Sequence, residues 1–452
     1  MGRAAAAVGG ILSGVAVAEN MRGGIPTAGL SLGQAPPLSI PTSFFLTIPL
    51  ALLAAGLLLM ATGIAPFQHP RHPSELALTH IGTIGVLLAG MMGALYQMTP
   101  VVAGAPVPAI RVAHAVHILM LIGLAGFVWR LLGGPVHAMN LAAIGLALGT
   151  FGFLLPVGLG LFNSATHNET TLGMRLALVS LGAIAAIGLL MSRGYAGERF
   201  LQDRFLWIQV HLTIALLGLA GGLIVSVSRQ VLPMFYLARP WGRRTMHVTL
   251  AALLTVLLFP FAAFMANSGD GVFSASQWAA VASFPAALAI WIVHPFATLK
   301  SIALRKRRRR DASLLFWQSG LVMAFPLVPL AGAACFSDDH RWATLFGWFA
   351  IWGWAGMIMH GMLTRIVPFL VWFHRVMPWI GRKRVPSMRS LLPDTWMRIG
   401  FSIHAASIIV GTAAIVTQVS VVARLTGILV ALTAISLASS MIHALRKGWN
   451  PD

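Results

Sequence analysis

The chain has 452 residues, 58% hydrophobic and only 9% charged, with a mean hydropathy of +0.83 and a formal net charge of +20. Too little polar surface exists to cover a water-soluble globule, so the composition describes a polytopic membrane protein. The cations fall in short connections between apolar runs, which suits anionic lipid headgroups and argues against nucleic acid, while the lone Cys335 excludes an intramolecular disulfide or a thiolate cluster within this chain.

Residues 1–40, rich in Ala, Gly and Pro, are expected to form a disordered cytoplasmic tail. The stretch from Arg3 to Ala18 imitates a signal peptide, but Gly9, Gly10, Ser13 and Gly14 dilute its apolar centre, and translocation would oppose the charge pattern described below. Residues 41–452 then form a single membrane domain. A span needs roughly 20 apolar residues, and twelve runs qualify: 42–65, 75–102, 111–132, 137–163, 172–192, 203–233, 244–267, 276–299, 313–335, 341–371, 396–418 and 421–445.

Arg239, Arg243 and Arg244 follow the sixth run, Lys300 and the series Arg305 to Arg310 follow the eighth, and Arg375, Arg382, Lys383, Arg384 and Arg389 follow the tenth. These connections share one side, and Asp270, Asp338 and Asp339 lie on the other. The positive-inside rule therefore places both termini in the cytoplasm of a bacterial-type inner membrane. Arg193 and Arg199 are an exception, partly offset by Glu198 and Asp203.

The second, sixth and tenth runs repeat one phrase: a glycine, a small residue eight later, Gln or Arg four further on, then proline. The copies are Gly85, Gly93, Gln97, Pro100; Gly218, Ser226, Gln230, Pro233; and Gly353, Gly361, Arg365, Pro368. A repeat every four helices predicts an all-α membrane protein of 12 transmembrane helices in a pseudo-threefold bundle of three four-helix arcs. The spacings bring the small residues and the polar one to a single helix face, where a neighbouring helix or a flat ligand can approach. Gln97, Gln230 and Arg365 must each satisfy their polar atoms near the inner end of a span, and the proline suits a helix close.

Twelve spans with inner termini and repeats at helices two, six and ten resemble subunit I of the haem-copper oxidase superfamily. Locally, His80 to Pro100, with Gly93, Ala94, Leu95, Tyr96 and Gln97, is similar to the histidine-led, proline-ended helices of C-type oxidases and to the opening helix of NnrS proteins of the nitric-oxide response. The resemblance implies a b-type haem, with copper as a further candidate. It carries a low-spin haem ligand onto His80 and a copper ligand onto His211. Other family positions are not matched. The tenth run has Gly347, Trp348 and Trp352 where two histidines are expected, and His360 lies about 18 Å deeper than Trp348 at about 1.5 Å per residue. The seventh run has only His247, near its inner start, and Tyr96, Tyr195 and Tyr236 offer no obvious counterpart of a cross-linked tyrosine. The standard dioxygen-reducing centre is thus incomplete.

His80 and His211 are the leading cofactor ligands, with His404, mid-membrane on the eleventh run, as a reserve axial ligand. Either of the first two could instead satisfy an interior hydrogen bond. His114 and His117 share a helix face at a three-residue spacing that suits chelation, and His247, His360 and His294 are expected at a similar inner depth. Together with His211 they are metal candidates, against the alternative of separate histidines bonded to backbone or headgroups. The remaining histidines fall beside connections, where solvated roles are the default. Methionines such as Met91 and Met359, and tryptophans such as Trp348 and Trp352, could line a cofactor but also serve packing and interface. The expected function is redox or nitric-oxide chemistry fed by an external electron donor or membrane quinol. The competing readings are a cofactor-free 12-helix transporter and a non-catalytic assembly or stress-response factor.

Overall fold

The computed structural model describes residues 35–201, 204–266, 275–306, 311–380 and 382–447, giving the backbone alone at 259–266 and 275–280. The expected tail up to residue 34, Asp203, Asp270 and the cations at 307–310 lie outside the described residues. Among the described residues every regular element is helical. The long helices are α1 (Ser39–Thr62), α2 (Pro73–Val102), α3 (Val112–Leu131), α4 (Val136–Phe162), α5 (Glu169–Ala196) and α6 (Arg204–Tyr236). They continue with α7 (Arg243–Ala266), α8 (Ala275–Leu288 running through His294–Ala303), α9 (Ala312–Phe336), α10 (Arg341–Trp379), α11 (Asp394–Thr417) and α12 (Ser420–Arg446).

Eleven described helices are long and apolar enough to cross a membrane. The remaining predicted span corresponds to α7, a 24-residue helix whose side chains beyond Leu258 are not described. The ends follow ordinary stop and start chemistry. Asn168 and Thr171 form a reciprocal capping box at α5, Asp311 accepts the Ser313 N–H at the start of α9, and Pro73 occupies the first turn of α2 after His72.

Without a hydrophobic drive between helices in lipid, close packing depends on small residues. A Cβ on Gly56 would stand 2.7 Å from the Gly427 carbonyl oxygen, and one on Gly427 would stand 2.7 Å from that of Gly56, so α1 and α12 meet backbone to backbone. Gly123 and Gly145 do the same between α3 and α4. Successive contacts run α11–α12–α1–α2, α3–α4–α5–α6 and α7–α8–α9–α10, and α2 also touches α10. The most buried spans are α10 (78%), α6 (72%), α1 (61%) and α2 (56%), so the helices that carry the repeated phrase lie inside.

Those three helices share a feature not visible in the sequence pattern. Each contains an eight-residue π-helical stretch: Ile81–Leu88, Ile214–Gly221 and Phe349–Gly356. Gly85, Gly218 and Gly353 are the fifth residue of their stretches, and Pro100, Pro233 and Pro368 all follow at the same offset. π-Helical backbone is rare and concentrates at functional sites, so its recurrence in one register is a structural counterpart of the repeat.

The connections rich in cations sit together at one end, the basic end. Ser301 donates to the Arg239 carbonyl and Arg389 donates to Asp311, joining three of them. At the other end the α1–α2 connection reaches both α6, where the Arg71 guanidinium lies 4.6 Å from the Phe205 ring centre, and α10, where His69 stacks on His340 at 6.3 Å.

Candidate functional site

The predicted histidines separate into distinct settings. On α2, His80 closes the α-helical turn ahead of the π stretch, and its Nδ1–H donates to the Leu76 carbonyl at 2.8 Å. That bond fixes the tautomer and leaves Nε2 unprotonated, the state a metal-ligating imidazole requires. The ring packs on Phe127 of α3, centroid to centroid 4.6 Å. His211 of α6 stands one turn ahead of its own π stretch, its ring edge against Gly188 of α5, where an added Cβ would lie 3.1 Å from Cε1. Its Nδ1 is buried and makes no well-aligned hydrogen bond, although the ring comes within reach of the Ile184 carbonyl of α5, and His80 is a neighbour. One turn before His80, Glu75 accepts from Thr79 through Oε1 and buries Oε2 without a partner.

A second pair lies wholly inside. His360 of α10 and His404 of α11 face each other Nδ1 to Nδ1 at 3.1 Å, and both are buried. His404 Nε2 lies 3.3 Å from the Trp352 carbonyl, so Nε2 carries the proton there and Nδ1 accepts from the His360 Nδ1–H. Trp352 stacks on His404 at 3.9 Å and Phe316 lies 4.4 Å from His360. The indole is held in turn, since Trp352 Nε1–H donates to Ser407 Oγ and Ser407 donates to the His404 carbonyl. Neither Trp352 nor Ser407 could be assigned to this cluster from depth alone, although Ser407 is one turn along from His404.

The other metal candidates diverge. His114 is exposed, whereas His117 turns inward to Thr47, Nε2 to Oγ 2.7 Å, with Phe44 beside its ring. His247 is an exposed side chain at the basic end, 3.7 Å from Glu169, which also accepts from Arg243 at 3.0 Å. His294 bonds Ser228 of α6 at 2.9 Å, and its Nδ1 is buried without a partner. Among the described residues no three His, Cys, Asp or Glu side chains gather as a metal site.

The polar position of the repeated phrase is explained in the third copy by a carboxylate. Arg365 forms an ion pair with Asp311, and its Nε donates to Ser313 at 2.9 Å; Ser313 also bonds Asp311 and the Tyr236 hydroxyl. Arg389 reaches the same carboxylate at 3.3 Å. Arg365, Asp311, Ser313 and Tyr236 are all buried, so this network ties α6, α9, α10 and the α10–α11 connection at the basic end.

At the opposite end, outside the spans, the Arg341 guanidinium holds the Asp339 carboxyl down at about 2. Burial and the neighbouring Arg71 and His340 push His69 below the usual imidazole range. Set beside known proteins, the chain matches no family model and no curated protein.

Proposed function

We propose that the chain is a divergent haem-copper oxidase-like membrane protein that holds a b-type haem at His80 and His211 and serves redox or nitric-oxide chemistry. The architecture proposed is pseudo-threefold, with arcs α11–α12–α1–α2, α3–α6 and α7–α10 around α2, α6 and α10. The order of helix contacts and the common register of the π stretches support it. Both termini are placed in the cytoplasm of a bacterial-type inner membrane, and electrons come from an external donor or membrane quinol.

One observation carries the ligand assignment. His80 commits Nδ1 to the Leu76 carbonyl and keeps Nε2 for a ligand, beside a His211 whose buried Nδ1 makes no well-aligned hydrogen bond. A buried polar atom left unpaired costs roughly 1–3 kcal/mol, which an external ligand would relieve. A bound haem would supply one-electron chemistry. His80 and His211 would hold it through their imidazoles, with the Phe127 face against the His80 ring. The test is the absorption spectrum of purified protein. A Soret band in the wild type, lost in His80→Ala and weakened or shifted in His211→Ala, is expected; cofactor-replete protein without a Soret band defeats the assignment.

The buried Asp311–Arg365 ion pair favours a second reading, a cofactor-free transporter, because charges buried in a membrane protein commonly mark translocation routes. Substrate uptake that survives replacement of both His80 and His211 would decide for it.

A further inference from the structure

We propose that His360 and His404 form a two-coordinate site for a monovalent soft metal ion, Cu(I), between α10 and α11. This goes beyond the haem assignment and uses none of its residues. Three observations point to that ion class.

The first is geometric. The two Nδ1 atoms already face each other at 3.1 Å from separate helices. Metal–imidazole bonds are about 2 Å long, so a linear ligand–metal–ligand unit spans about 4 Å and requires the rings to part by roughly 1 Å. The second concerns charge. The rings are buried, and no described third His, Cys, Asp or Glu completes a cluster. Divalent calcium or magnesium would demand many oxygen ligands, and zinc would demand four donors. A d10 Cu(I) ion is satisfied by two collinear nitrogens and brings a single positive charge. The third is the wall. Trp352 stacks on His404 at 3.9 Å and Phe316 lies 4.4 Å from His360. Aromatic faces attract a desolvated cation, and these two would help keep the ion from water.

The proton bookkeeping closes without net release. In the metal-free pair His360 carries its proton on Nδ1 and His404 on Nε2. Binding requires both Nδ1 atoms bare, so His360 moves its proton to Nε2 while His404 is unchanged. His360 Nε2 lies on the Gly400 side of the ring, beside which the Ser436 hydroxyl also sits. The metal enters as Cu(I) and no electron transfer is required.

The experiment is an anaerobic Cu(I) titration of the full-length protein in detergent, in competition with a chromophoric Cu(I) chelator, followed by X-ray absorption on the loaded wild type. One chelator-resistant equivalent is expected, with two nitrogen scatterers near 2 Å and no sulfur. Loss of that equivalent is expected in His404→Phe and in His360→Leu, while His80→Ala retains it. No chelator-resistant Cu(I), a sulfur-containing first shell, or full retention in both variants overturns the site. The absorption measurement needs no substitution, so a variant that fails to fold leaves the test intact. The Soret band of the same samples reports the haem assignment separately.

Discussion

Helices α2 and α10 carry the same phrase in the same π register, yet their ends on the basic side are built in opposite ways. On α10 the polar residue is Arg365, locked to Asp311 and Ser313 and extended by Tyr236 and Arg389. On α2 it is Gln97, buried with its Oε1 unpaired, between Tyr96 and Thr99 whose hydroxyls are also unpaired. One copy is a saturated electrostatic lock; the other is a polar patch in apolar surroundings. The repeat therefore conserves backbone geometry while the side-chain chemistry at its end is free to specialise.

The largest expected effect comes from opening the lock. Asp311→Leu strands the Arg365 guanidinium and should cost about 3–5 kcal/mol, read as a large drop in the unfolding midpoint in detergent. The double change Asp311→Leu with Arg365→Met should recover most of that loss, because a buried ion pair can often be exchanged for apolar groups of similar size. A single substitution costing under about 1 kcal/mol would show that the network is not a lock.

A middle-sized effect tests the first glycine of each copy. A Cβ on Gly85 would lie 2.7 Å from that of Ala51, and one on Gly218 would lie 2.5 Å from Ser180 Oγ, whereas at Gly353 the nearest atom is 3.6 Å away, on Met323. Gly85→Ala and Gly218→Ala should each lose about 1–3 kcal/mol by overpacking. Gly353→Ala should stay within about 1 kcal/mol of the wild type, since ordinary contact is available and alanine is a better helix former. Equal losses at all three positions would mean that the π stretch, not the neighbour, sets the demand for glycine.

The smallest expected effect is at the α2 patch. Gln97→Leu removes an atom that has no protein partner, so stability should change by no more than about 1 kcal/mol in either direction. A loss above about 2 kcal/mol would point to an unseen partner and bring α2 closer to α10.

Much of this fold was legible because span length is dictated by the bilayer. The run expected at 75–102 is the helix Pro73–Val102, and the run expected at 137–163 is Val136–Phe162. The side-chain pairings were less legible. His360 was placed by depth with His114, His117 and His247, but azimuth decides contacts, and it pairs with His404 on the neighbouring helix. The π stretch above His360 changes the phase of that helix, so an α-helical count gives the wrong face. Asp311 escaped notice for another reason. It directly follows a cationic run that reads as a solvated connection, yet its carboxylate turns under the bundle to meet Arg365. In the middle copy the small residue was read on α6 as Ser226, while the structure puts the missing side chain across the contact at Gly173 of α5.

The π stretches have one further consequence, for insertions and deletions. An α-helix turns about 100° per residue, and a π turn accommodates roughly one extra residue at a smaller rotation, so deleting a single residue within Ile81–Leu88 and letting the segment relax to ordinary helix would leave Gln97 near its present azimuth relative to His80. The wide turns thus absorb a residue between the two halves of each central helix. A one-residue deletion in the α-helical part of the same helix would instead turn everything beyond it by about 100° and break the contacts at one end.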